Sequence, residues 1–350
     1  MDSVSQFALG AAVGVATMGR RVAPWKAALV GAVCGTLPDL DVVIDYGDPV
    51  SNMTLHRTES HALFYLSLVS PALAWLADRL WRQPGAAQGA SPGESPGESL
   101  FRRWWLAVWL ALITHPLLDL MTVYGTQLGL PFTDHPYAVG SMFIIDPLYT
   151  LPLLVGLVAV LSLRNARGLR WNAAGLVLST LYLGWATLAQ QHVRGVAEDS
   201  LRAQGLDAGR VLVTPTAFNT VLWRVVAMGD DSYREGFYSL LDGGRSIHFD
   251  RFPQHDVLRA ALPDNPYLSR VVWFSHGFYA MREDDGRVLV SDLRMGQEPT
   301  YSFNFVLAQR RGDSLLPLAP EWISRRPDIG RGLAWIWQRA GGEPVPPPRQ

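Results

Sequence analysis

Apolar residues in the first half of the chain come in long runs broken by short polar connections. Four runs reach the roughly 20 residues that a bilayer crossing needs: His61–Leu80, Trp104–Met121, Met142–Leu163 and Trp171–Ala189. Two shorter runs, Val4–Met18 and Ala27–Leu37, precede them. These are rich in Gly and Ala ("GAAVGVA", "AALVGAVCG"), which suits close helix contacts inside a bundle, and they read as short spans or a re-entrant hairpin. The pattern predicts an α-helical integral membrane bundle over residues 1–190, with about four full spans plus two short N-terminal ones. Residues 81–100, containing "RQPGAAQGASPGESPGES", read as a flexible cytoplasmic linker loop.

From Gln191 onward the period shortens. "RVLVTPTAFNTVLWRVVAM", "EGFYSLLD", "RVVWFSHGFYAM", "RVLVSDL" and "TYSFNFVLA" alternate and are β-branched or aromatic, with "DGG" and "EDDG" as turns between them. Residues 191–350 therefore read as a small, β-rich extramembrane domain.

Composition changes this picture little. A length of 350 residues suits two domains, and a net charge of -1 suggests no nucleic-acid partner. The single cysteine, Cys34, excludes an internal disulfide framework and a cysteine-based zinc site. The N-terminus lacks the basic start of a secretory signal and reads as a retained segment. Charge gives orientation. Arg20, Arg21, Lys26, Arg79, Arg82, Arg102, Arg103, Arg164, Arg167 and Arg170 all fall in alternate connections, whereas the opposite connections hold Arg57 alone. Positive loops stay cytoplasmic. Both termini and the C-terminal domain then lie outside, in the periplasm if the cell has two membranes.

Candidate chemistry collects on that outer side. "LPDLD" supplies Asp39 and Asp41, "HRTESH" supplies His56 and His61, and "THPLLD" supplies His115 and Asp119. His115 and Asp119 are four residues apart and share one helix face. Ionisable groups within a membrane helix usually face the bundle interior and mark function. Imidazole and carboxylate together suit a divalent metal: zinc, with manganese or iron as alternatives, as one or two ions. Each motif has a plainer reading. "PDLD" can simply end a helix, His61 can cap one or sit at the lipid interface, and His115–Asp119 can be a structural hydrogen bond or a proton relay.

Around this set, Arg57 orients a carboxylate or binds a substrate anion, and Glu59 is a solvated neighbour. Asp41 and Asp119 are the candidates for a metal bridge or general base. Asp146 reads either as the N-cap of a helix begun by Pro147 or as a second carboxylate steadying a ligand histidine. Tyr124, Thr126 and Gln127 can line the pocket, and Asp134 and His135 read as solvated loop residues. His248, His255 and His276 show no ligand spacing and read as surface histidines.

"MDSVSQFALGAAVG", "GTLPDLD", "HRTESHAL", "THPLLDLMTVYGTQLGLPF" and "IIDPLYTLPLL" together resemble the bacterial family of membrane-bound metal-dependent hydrolases, the YdjM-type proteins. "TPTAFNTVLWRVVA" and "SHGFYAMRE" look like the C-terminal extension of one branch of that family. The resemblance implies that Asp39, Asp41, His56, His61, His115 and Asp119 are the shared polar positions. Gln6 stands where many relatives carry a histidine, and "HRTESHA" replaces the usual "HRGFTHS" while keeping both histidines and Arg57. It further implies a multi-pass protein of the bacterial cytoplasmic (inner) membrane. Its metal-activated water would attack a lipid or lipid-linked (phospho)ester at the outer face. The alternative is a non-catalytic metal-binding membrane protein, either an ion or proton transporter or an envelope scaffold. Protein partners are not indicated.

Overall fold

A computed structural model describes residues 1–81, 96–324 and 328–349. Residues 82–95, most of the expected linker, lie outside the described residues. The chain divides into two compact units. The first comprises residues 1–43, 57–138 and 144–184, and the second residues 44–56, 139–143 and 185–350.

The first unit is helical. It contains α1 (Ser3–Met18), α2 (Pro24–Thr36), α4 (Leu63–Trp81), α5 (Pro96–Leu120), α6 (Pro147–Leu163) and the first half of α7 (Ala166–Ala203). The intervening α3 (Pro49–Leu55) belongs to the second unit. Each start is specified locally. Asp2 caps α1 by accepting the Val4 and Ser5 amides, Pro24 opens α2, and Asp146 with Pro147 opens α6. The last of these moves the start of the expected Met142–Leu163 span to Pro147, because Asp146 takes up the first-turn amides.

Helix α1 sits innermost, against α2, α5 and α6. Its residues are small almost all round, which is the signature of a helix enclosed by others. The α1–α2 crossing is built on glycine. A Cβ placed on Gly35 would meet the Gln6 carbonyl oxygen at 2.8 Å and the Gly10 Cα at 2.9 Å. One on Gly31 would overlap the Gly10 carbonyl. The small-residue runs thus do what their composition implies: they bring two backbones into contact.

Among the described residues, two helices, α4 and α7, are long and apolar enough to cross a membrane, and α1 and α6 are shorter apolar helices. These two correspond to the expected spans His61–Leu80 and Trp171–Ala189. Helix α4 turns Leu68, Trp75 and Leu80 outward, and α6 and α7 expose Val158, Leu181 and Leu188.

The second unit is β-rich. Strands β1 (Arg210–Pro215), β2 (Leu222–Met228), β3 (Ser232–Ser239) and β4 (Phe249–Pro253) form an antiparallel meander in that order. Strands β5 (Tyr279–Asp284), β6 (Arg287–Asp292), β9 (Asn304–Arg311) and β10 (Ser314–Trp322) form a second sheet in the order β10-β9-β6-β5. A short hairpin pairs β7 (Gly296–Gln297) with β8 (Thr300–Tyr301). Helices α8 (Asp256–Ala260), α9 (Pro266–Phe274) and α10 (Ile329–Ala340) complete the unit.

Two expectations change here. The apolar helix does not end at Ala189 but runs on to Ala203, whereas the first strand starts at Arg210, where the expected segment "RVLVTP" begins. Val193, Val196, Ala197 and Leu201 recur at helical spacing and pack on Val213, Trp223, Val225 and Tyr238 of the first sheet. The segment "RVVWF" is helical rather than extended. Asn265 caps α9, Pro266 opens it, and Leu268, Val271 and Phe274 face inward at a spacing of three. Periodicity cannot separate a short buried helix from a strand when the residues are β-branched.

Substitution at the glycine crossing gives a direct check. Gly31→Ala should destabilise the protein in detergent by about 1–3 kcal/mol or more, because only backbone separation relieves the overlap. Gly184→Ala, where an added Cβ meets nothing within 4 Å, should be neutral or stabilising by about 0.5–1 kcal/mol. Thermal unfolding of the two variants against the parent chain distinguishes them.

Candidate metal centre

The site forms where three short pieces of the first unit converge. The turn Pro38–Val43, after α2, carries Asp39 and Asp41. The turn Glu59–His61, before α4, carries His61. The last turns of α5 carry His115 and Asp119, both fully buried. Together Asp39, His61, His115 and Asp119 offer one ligand atom each, all within 4.8 Å of one another.

The spacing is more informative than the proximity. His61 Nε2 lies 3.1 Å from His115 Nε2, 3.4 Å from Asp39 Oδ1 and 3.3 Å from Asp119 Oδ2. His115 Nε2 lies 3.3 Å from each of those two carboxylate oxygens. Ligands about 2.0–2.1 Å from a tetrahedral zinc stand about 3.3–3.4 Å from each other. Five of the six edges of the donor set therefore match those of a single tetrahedral ion.

Hydrogen bonding fixes how the two rings are turned. His115 Nδ1 lies 2.6 Å from the Gly35 carbonyl oxygen. A carbonyl can only accept, so Nδ1 carries a proton, and Nε2 is the nitrogen turned toward the cluster. Gly35 is in the last turn of α2, where carbonyls have no intrahelical donor and the helix end carries partial negative charge. Ser60 Oγ donates to Asp41 Oδ2 at 2.6 Å, so at 2.9 Å from His61 Nδ1 it accepts. Nδ1 of His61 is thus a protonated nitrogen, and its Nε2 is likewise the one that faces the cluster. Two imidazole nitrogens and two carboxylate oxygens face one point. A proton can bridge two such atoms; a metal ion satisfies four. The backing of each ring by a carbonyl or a hydroxyl–carboxylate pair is the arrangement that orients metal-bound histidines.

Asp119 is divided between two tasks. Its Oδ1 is held by the Met1 backbone nitrogen, by Gln6 Nε2 at 3.1 Å and by Arg57 Nη2 at 3.3 Å. Its Oδ2 is buried with no hydrogen-bond donor, and it is the oxygen that faces the histidines. Gln6 also donates to the His115 carbonyl at 3.2 Å.

Arg57 adopts a left-handed backbone (φ 66°), uncommon outside glycine. That turn aims its amide at Asp41 Oδ2, 2.9 Å away, and leaves its carbonyl to accept the Gln127 amide at 3.0 Å. The guanidinium lies 4.9 Å from the centre of the Tyr124 ring and donates to Thr122 Oγ1 at 3.4 Å.

Of the six expected ligands, four meet. Asp41 does not join them: its Oδ2 lies 3.5 Å from His61 Nδ1, on the side of the ring away from the cluster. His56 ends α3 as its C-terminal cap and is not among the four. Asp146 is fully buried, but its hydrogen bonds go to the Leu148 and Tyr149 amides and to the Tyr182 hydroxyl, 3.0 Å away. It caps α6 instead of steadying a ligand histidine. Tyr124 faces Arg57, whereas Asp134 and His135 are exposed. His248 and His255 are exposed and His276 is half-buried. Sequence reasoning passed over Ser60 and the Gly35 carbonyl. A serine next to a histidine carries no distinguishing signal, and a backbone acceptor carries none at all.

Metal content should follow this hierarchy. His61→Ala, His115→Ala and Asp119→Ala should each remove bound metal. Ser60→Ala and Asp41→Asn should weaken it about 10–100-fold without abolishing it, and His56→Ala should leave it unchanged. Elemental analysis of purified variants, with chelator competition for the weakened ones, provides the measurement.

Comparison with known proteins agrees with an N-terminal membrane unit. The model of the family described as "YdjM inner membrane protein" matches residues 1–193. YfhP of Bacillus subtilis (strain 168), described as an uncharacterized protein, is 23% identical over 279 residues, which is 76% of this chain and 77% of its own. No solved structure matches. A family match over more than half the chain, coinciding with the segment that builds the metal centre, places the protein: it belongs to the YdjM inner membrane protein family.

Proposed function

We propose that this protein is a metal-dependent hydrolase that cleaves a lipid or lipid-linked phosphoester at the outer face of the inner membrane. The observation that carries the reading is the set of four candidate ligands at near-tetrahedral spacing, three of them fully buried and one, Asp39, with its side chain 20% exposed. His61, His115 and Asp119 form the fixed part of the set. A divalent ion held there supplies a water of lowered pKa and polarises a phosphoryl oxygen.

Catalytic zinc sites keep one position for water, whereas structural sites fill all four with protein. Asp39 decides between these. It stands on a short turn with no donor pinning its second oxygen among the described contacts, at the open edge of the cluster. Swung aside, Asp39 would leave room for a water on a bound ion and would stand within reach to take its proton. Asp119 cannot take that role because Met1, Gln6 and Arg57 occupy its other oxygen.

Lipid is favoured by what surrounds Asp39. Leu40, Val42 and Val43 in the same turn are all exposed, which suits a mouth at headgroup level. The basic residues of alternate connections support a bundle of four spans and two shorter helices over residues 1–190, with both termini, the mouth and the 191–350 domain outside. Zinc is the first choice of ion by donor type, with manganese or iron as alternatives.

A closed tetrahedron also suits a purely structural ion in a non-catalytic scaffold, and one pair of measurements separates the two. Asp39→Asn should retain most of the metal and lose at least about 100-fold in release of headgroups from bacterial lipid extract, the usual scale for a general base. If the variant loses the metal or its fold instead, while the parent chain shows no metal-dependent release, the ion is structural.

A further inference from the structure

Away from the metal centre, the second unit holds two carboxylates in an arrangement that a sheet does not favour by itself. Glu235 on β3 and Asp250 on β4 are direct cross-strand partners. Like charges placed opposite each other repel, and Glu235 is fully buried. One guanidinium resolves the conflict. Arg349 Nη1 donates to Glu235 Oε1 at 2.5 Å, and Arg349 Nη2 donates to Asp250 Oδ2 at 2.6 Å. Nη1 also reaches the Glu298 carbonyl at 3.3 Å.

Phe252, two residues beyond Asp250 and so on the same face of β4, places its ring centre 4.8 Å from the guanidinium carbon. Tyr233, its partner across the strands, stacks on that ring at 5.4 Å. Glu235 Oε2 is fixed separately by Arg224 Nε at 2.6 Å, which leaves Oε1 for the incoming group. His248 lies 3.6 Å from the other oxygen of Asp250, in the open. Two carboxylates held by the sheet and an aromatic floor are the parts of a guanidinium-binding pocket.

What fills the pocket is the segment that follows α10. After α10 ends, Gly342 turns the chain with φ 89°, and Val345 accepts a hydrogen bond from Trp335 Nε1 at 3.1 Å. Then come Pro346, Pro347, Pro348 and Arg349. Prolines donate no amide and hold an extended backbone at low entropic cost. The segment thus presents an arginine on a stiff proline strap, whose anchor at its near end is Val345, packed beside Trp335 and bonded to its ring nitrogen.

We propose that Glu235, Asp250 and Phe252 form a recognition pocket for an arginine carried on an extended proline-rich peptide of a partner protein, and that the chain's own Arg349 masks it in cis. Tethering gives the cis arginine an effective concentration that a free peptide must overcome. The full-length parent chain should therefore bind such a peptide poorly.

The probe is a fluorescently labelled Pro-Val-Pro-Pro-Pro-Arg peptide, read by anisotropy on the full-length protein in detergent. Arg349→Ala should bind it saturably and at least tenfold more tightly than the parent. Adding Asp250→Asn, or replacing the peptide's arginine with lysine, should reverse most of that gain. An Arg349→Ala protein with the parent's thermal transition and no saturable binding overturns the proposal and leaves Arg349 as an internal latch. Undiminished binding by the Arg349→Ala/Asp250→Asn protein overturns it equally. If Arg349→Ala does not fold, a protease site between Gly341 and Gly342, cut after purification, replaces it. Binding that appears only after the tail is released supports the pocket, and its absence then overturns it.

Discussion

Two imidazole nitrogens and two carboxylate oxygens meet at one point in the first unit, and the rest of the site is arranged around them. His61 Nε2 and His115 Nε2 stand 3.1 Å apart with a proton on each opposite ring nitrogen, and two carboxylate oxygens join them at 3.3–3.4 Å. Unpaired buried charge is among the largest penalties a fold can carry. A cation held at that point would tie together the end of α2, the start of α4 and the end of α5. The surrounding polar groups have consistent meanings in this light. Gly35 and the Ser60–Asp41 pair orient the two rings, and Arg57 with Gln6 neutralises the half of Asp119 that faces away.

Much of this was legible from residues alone, and the part that was not has a physical reason. Composition located Asp39, His61, His115 and Asp119 because polar groups near the ends of apolar runs are costly and few. It could not rank Asp41 below Asp39. Both sit in one six-residue turn, and which carboxylate meets the Nε2 side of His61 depends on the direction of that turn. His56 and His61 looked equivalent because both flank "RTES", yet a left-handed residue at Arg57 lies between them and redirects the chain. Asp146 showed that a helix cap and a ligand support have the same appearance in one dimension.

The second unit repeats the lesson for secondary structure. The segments "RVLVSDL" and "EGFYSLLD" survive into β6 and β3, strands buried on both faces, because β-branched and aromatic residues fit such a sheet. "RVVWF" does not, because Asn265 and Pro266 start a helix that β-branched residues then occupy. The continuation of α7 beyond Ala189 also lay outside a hydropathy reading. There the helix exchanges a uniformly apolar surface for a one-sided stripe that buries Val193, Val196 and Leu201, so average hydropathy falls while helical periodicity persists.

The glycine crossing of α1 and α2 has a bearing on genetics. Gly35 is both a point of backbone contact with α1 and the acceptor that fixes the His115 ring. Any side chain that wedges these helices apart at Gly10 or Gly31 shifts that acceptor as well. In a screen for loss of metal, alleles at these two glycines, neither of which is among the ligands, would be recovered alongside alleles at the histidines, and a map of hits would draw the site wider than its coordination sphere.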